Sequence, residues 1–92
     1  MTAKIKSVPK PKTKLNGNQF EIMIDTGGTF TDGVLIDGQG RIDVAKAETD
    51  PADPANGIMN CIALLSEERN LTERELLRNT TSVSIGTTLP IF

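Results

Sequence analysis

Ile24-Asp25-Thr26-Gly27-Gly28-Thr29-Phe30-Thr31-Asp32 joins two apolar runs, and the rest of the chain can be read outward from it. Before it, Phe20, Ile22 and Ile24 alternate with Glu21 and Met23, the period of a strand that buries one face. After it, Thr31 to Asp37 carries Val34-Leu35-Ile36, an unbroken apolar triplet that predicts a strand covered on both faces. Gly-Gly-Thr between the runs predicts a tight turn. The stretch is therefore read as a hairpin with an aspartate on each shoulder.

Asp37-Gly38-Gln39-Gly40 marks a second hairpin turn. Arg41 to Lys46 follows as a third strand, with Ile42 and Val44 facing one way. Three strands joined by short turns predict an antiparallel meander. Asp50-Pro51-Ala52-Asp53-Pro54 then stops the sheet pattern, with Asp53 placed as an N-cap and Pro54 at the first helical position. The predicted helix runs to about Glu68. Ile58, Ile62 and Leu65 lie at helical spacing on it, with Met59 and Cys61 alongside. Thr72 and Glu75 form a capping-box pattern for a short second helix ending near Arg78. Thr81 to Ile85 alternates as a fourth strand, and Gly86-Thr87-Thr88 closes it. The expected class is α/β, ordered strand, strand, strand, helix, short helix, strand. The fourth strand is expected to run parallel to the first, which places both Gly/Thr turns at one end of the sheet.

Composition bounds what such a chain can do. In 92 residues there is no Trp, Tyr or His, and the aromatics are Phe20, Phe30 and Phe92. Aromatic side chains bury the most area per residue, so a self-sufficient core is not expected. Ten basic and twelve acidic residues give a net charge of −2, unevenly spread. Lys4, Lys6, Lys10, Lys12 and Lys14 are all basic, which leaves five basic against twelve acidic residues beyond them, a net −7. Residues 1–19 read as a basic extended arm. The arm lacks Arg, aromatics and an amphipathic period, which argues against nucleic acid or a membrane as its partner. Residues 20–92 read as an incomplete domain, to be completed by another chain. Cys61 is the single cysteine, so no internal disulfide is possible, and a lone thiol on an apolar helix face fits a reducing cytoplasm.

The chemistry points back to the hairpin. Glycines at 27 and 28 let backbone approach a ligand closely, and the N–H groups of Gly27, Gly28 and Thr29 can converge on a phosphate. The hydroxyls of Thr26, Thr29 and Thr31 can add donors. Asp25 repels a phosphate unless a cation lies between them. Mg²⁺ suits that place, because it binds one or two carboxylates, waters and phosphate oxygens. Asp32 either assists in holding such an ion or only orients the hairpin. Gly86, Thr87 and Thr88 are a second small, hydroxyl-rich turn. An empty Gly-Gly turn is the plain alternative. With no His and one cysteine on an apolar helix face, a self-contained nucleophilic triad is not expected, and no side chains are assigned as catalytic.

The octet Asp25 to Asp32, the hairpin after it, Asp50-Pro51 before a helix and Gly86-Thr87-Thr88 after a strand together resemble one family. They are similar to the N-terminal region of the hydantoinase A, 5-oxoprolinase and acetone or acetophenone carboxylase superfamily, over roughly residues 20–88. The resemblance implies a partial ribonuclease H-like half-domain of the actin, Hsp70 and sugar kinase type. It also implies ATP and Mg²⁺ as cofactors. Asp25 would lie near the metal, Gly27, Gly28 and Thr29 would form the phosphate loop, and Gly86, Thr87 and Thr88 would match a family turn. Ile85 stands where many members have His. The implied role is a small subunit or N-terminal segment of a multi-subunit, ATP-dependent ketone carboxylase, inactive alone and partnered by larger subunits. An ATP-dependent hydantoinase or oxoprolinase that opens cyclic amides is the alternative, and a non-catalytic structural subunit is another.

Overall fold

The computed structural model describes residues 17–87. The arm's lysines and Thr88 to Phe92 lie outside the described residues. The elements follow the expected order: β1 (Phe20–Thr26), β2 (Phe30–Asp37), β3 (Ile42–Glu48), α1 (Pro54–Glu68), α2 (Glu73–Arg78) and β4 (Thr80–Thr87). They form a four-stranded sheet in the order β3-β2-β1-β4, antiparallel except that β4 runs parallel to β1. Among the described residues no helix is long and apolar enough to cross a membrane.

Strand alternation decides which side chains meet α1. Phe20, Ile22 and Ile24 of β1, Leu35 of β2 and Ala45 of β3 turn to one face and pack with Cys61, Ile62 and Leu65 of α1 and Leu76 of α2. Val34, Leu35 and Ile36 are all buried, as a run without alternation requires in a central strand. Met59 is 45% exposed, so it is not part of the core stripe expected of it. It lies three residues before Ile62, past the edge of the buried face.

The approach of α1 to the sheet depends on Gly57. A Cβ there would lie 2.7 Å from Thr31 Oγ1 and 3.1 Å from the Glu48 carbonyl oxygen. Thr31 Oγ1 is itself fixed 2.8 Å from Thr49 Oγ1, so the neighbour cannot swing aside without breaking that bond. Cys61 Sγ–H donates to the Thr31 carbonyl, 3.1 Å away. Burial, the largest influence on this thiol, pushes its pKa up to about 11. It is a packing residue and not a nucleophile.

Helix boundaries are only partly as expected. The Thr72–Glu75 capping box forms in both directions. Asp53 occupies the N-cap position of α1 but makes no side-chain cap bond, contrary to the sequence reading. At the same corner Asp50 folds on itself, its carboxylate accepting from the Ala52 N–H, and Pro54 needs no partner for a missing N–H. The far end of α1 closes on Asn70, whose φ of 56° is left-handed. Asn70 N–H donates to Glu67 and Leu71 N–H to Ser66, a Schellman arrangement built on Asn in place of Gly. In the second hairpin, Gly40 has a φ of 87°, which is the reason a glycine is needed there.

Candidate functional site

The hairpin between β1 and β2 lies at one end of the sheet. In register, Lys46 of β3 stands opposite Asp32 of β2, Asp32 opposite Asp25 of β1, and Asp25 beside Gly86 of β4. The four positions form one row across the sheet, on the face away from α1. Their environments differ. Asp25 is exposed at the end of its strand, whereas Asp32 is buried. Among the described residues Asp32 Oδ1 has no hydrogen-bonding neighbour except the Lys46 ammonium, 2.9 Å away. Lys46 Nζ also lies 4.7 Å from the centre of the Phe30 ring. The pair expected to share a cation is thus adjacent, but only Asp25 is open. A Cβ at Gly86 would come within 4.0 Å of Asp25 Oδ1, so the glycine keeps the space beside that carboxylate clear.

The loop itself is accessible. Gly28, Thr29 and Phe30 are exposed, and a Cβ at Gly28 would meet nothing within 4 Å. Neither Gly27 nor Gly28 has a positive φ, so the turn does not need glycine for its backbone shape. The small residue at 28 leaves the loop's backbone uncovered. Gly27 N–H donates to the Phe30 carbonyl and closes the turn, which leaves the N–H groups of Gly28 and Thr29 as those available to a ligand. The threonines divide. Thr29 is exposed on the loop. Thr26 and Thr31 are buried on the α1 side, and Thr31 is bonded to Thr49. The structure therefore brings together Asp25, Gly28, Thr29 and Gly86, keeps Asp32 behind Lys46, and sets Thr31 on the opposite face. Gly86 and Thr87, expected as a turn, are instead the last residues of β4, paired with Asp25 and Thr26 because the parallel ladder with β1 runs to its end, and Thr88 lies outside the described residues.

A metal and a nucleotide fit this donor set on chemical grounds. No group of three or more His, Cys, Asp or Glu able to hold a metal occurs among the described residues. An ion at Asp25 would keep waters and take its remaining ligands from phosphate, which is the habit of Mg²⁺. Lys46 was missed in the sequence reading. Its signal was present, since the hairpin register alone sets residue 46 opposite residue 32.

The opposite end of the sheet holds the other charge cluster. Arg69, just after α1, donates to Asp37 Oδ2 at 2.8 Å and to Asp43, and its guanidinium lies 5.4 Å from the Phe20 ring. Asp37 Oδ1 also accepts from the N–H groups of Gln39 and Arg41. Burial alone would raise the Asp37 pKa, but Arg69 and these N–H groups outweigh it and hold the carboxyl below its ordinary value. A hollow of about 520 Å³ lies here, lined by Phe20, Asp37, Arg41, Arg69 and Asn79 among others. It is remote from the hairpin, and its carboxylates are engaged by Arg69 through Nη1 and Nε, while Arg69 Nη2 is buried with no hydrogen-bond partner among the described residues.

The described residues have the architecture of part of an actin-like ATPase domain. It superimposes on the nucleotide-free structure of acetone carboxylase with a TM-score of 0.72 and 27% identity, covering 77% of this chain and 10% of that one. The diol dehydratase-reactivating factor shares the fold at a TM-score of 0.50 and 17% identity, over 73% of this chain and 12% of that one. Residues 21–91 match the model of the hydantoinase/oxoprolinase N-terminal region, and the chain belongs to that family. It is 32% identical over 77 residues to caprolactamase subunit alpha of Pseudomonas jessenii, covering 84% of this chain and 11% of that protein. It is 38% identical over 71 residues to the acetophenone carboxylase gamma subunit of Aromatoleum aromaticum, covering 76% of this chain and 9% of that protein. The chain thus spans about a tenth of these relatives' length.

Proposed function

We propose that this chain supplies the first phosphate-contacting hairpin of an ATP-dependent, multi-subunit enzyme that activates a carbonyl compound, with ketone carboxylation as the leading reading. The observation that carries it is the open Asp25 carboxylate between an uncovered Gly28-Thr29 loop and the bare Gly86. In this reading Asp25 holds the waters of Mg²⁺, and the Gly28 and Thr29 N–H groups hold a phosphate. When bound, MgATP supplies the phosphoryl group that activates substrate. Opening of a cyclic amide is the second reading, favoured by the likeness to a caprolactamase subunit.

Completion by further polypeptide is part of the proposal. β4 is exposed along nearly its whole length, and among the described residues its outer edge pairs with no strand. Val83 and Ile85 face the same side as the buried Ile22 and Ile24, yet are 43% and 57% exposed. A right-handed crossover leaving β4 would lay a helix on these two residues and pair a strand on the open edge. The larger subunits would supply that unit and the rest of the nucleotide pocket.

The test is MgATP affinity and turnover of the assembly that contains this chain, with Asp25→Ala beside it. Turnover is measured with a ketone and bicarbonate in one series and with a lactam in the other. A loss of affinity in Asp25→Ala supports the site, and the series that stimulates ATP hydrolysis names the reaction. Unchanged affinity and turnover would sink the proposal.

A further inference from the structure

Resting on that reading of the hairpin, we propose that Lys46 sets the carboxylate count of the cation site. By holding Asp32 in an ion pair, it leaves Asp25 as the only open ligand. Asp25 and Asp32 are direct partners on antiparallel strands, a position in which two carboxylates repel and can converge on one ion. Lys46 is the next residue in the same row, and its ammonium sits 2.9 Å from Asp32 Oδ1, with the Asp32 side chain only 9% exposed. The pair neutralises one negative charge of the row and engages Asp32 Oδ1. One open carboxylate captures a bare divalent ion weakly, so the ion arrives with the phosphates that complete its shell. Lys46 is a positioning residue here and touches neither metal nor nucleotide.

The experiment titrates Mn²⁺ alone, read by electron paramagnetic resonance, into the full chain without nucleotide. The proposal expects Lys46→Met to bind one Mn²⁺ about tenfold more tightly than the parent, because the second carboxylate is released. The gain should vanish in Lys46→Met/Asp32→Asn and in Lys46→Met/Asp25→Asn, while Lys46→Arg should match the parent. A folded Lys46→Met chain with parental affinity would overturn the proposal. If Lys46→Met does not fold, Asp32→Asn alone decides. No loss of Mn²⁺ affinity supports the ion-pair role, and a loss as large as that of Asp25→Asn overturns it by making Asp32 a ligand. These outcomes are separate from the nucleotide test, since Asp25→Ala can abolish MgATP binding whether or not Lys46 guards Asp32.

Discussion

The two ends of the sheet use the same side chains to opposite purpose. At the α1–α2 end, Asp37 and Asp43 converge on Arg69, and Asp37 takes two backbone N–H groups as well. At the hairpin end, Asp32 is satisfied by Lys46 but its neighbour Asp25 is left open. A carboxylate that serves the fold has its oxygens engaged and its surface covered. Asp25, proposed to serve a ligand, stands beside glycines and exposed backbone. The contrast separates Asp25 from the other acidic residues in register with it or near it.

The largest expected effect of breaking this contrast is structural. Arg69→Ala leaves the buried Asp37 and the part-buried Asp43 without their shared partner, and should cost about 3 kcal/mol, measured by urea unfolding. Asp25→Ala should leave stability within about 0.5 kcal/mol of the parent, because the residue is exposed and unburdened by packing. Its effect should fall on ligand, at about 10- to 100-fold in the affinity of the assembly for MgATP, since it acts through metal-bound water. Gly57→Ala should cost about 1–3 kcal/mol by forcing α1 away from Thr31 and the Glu48 carbonyl. The pH dependence should be smaller still. Asp37 has a folded pKa below its ordinary value of 3.8, so its stabilising contribution is complete above that value and is lost as pH falls through the lowered one. A Tm series from pH 6 down to pH 2 should therefore show a decline below about pH 4 that is blunted in Asp37→Asn.

Much of the fold was legible because it is written in local pattern. Alternation gave β1, the apolar triplet gave the doubly buried β2, Asp37 to Gly40 gave the second turn, and Thr72 with Glu75 gave α2 its start. The misses involve partners distant in sequence or choices between equivalent local devices. Asp53 has the composition of a cap but not the bond, since Asp50 shapes the same corner. Asn70 takes the left-handed position that a sequence reader seeks in glycine. Arg69 meets Asp37 and Asp43 across 32 and 26 residues, a pairing no window of sequence contains. In the site, the loop and Asp25 were readable from residue type. The division of threonines was not, because it depends on which face α1 covers. Thr31 looks like a ligand donor until Gly57 is found packed on it.

In the proposed site the hairpin end, and not the hollow at the other end, receives the nucleotide. Residue-resolved amide hydrogen exchange on the assembled enzyme, with and without a non-hydrolysable MgATP analogue, tests it most directly. The prediction is new protection at Gly28 and Thr29, little change at Gly27, whose N–H is already bonded to Phe30, and none at Gln39 and Arg41. Protection appearing at the Asp37–Arg41 turn while Gly28 and Thr29 exchange as before would contradict it.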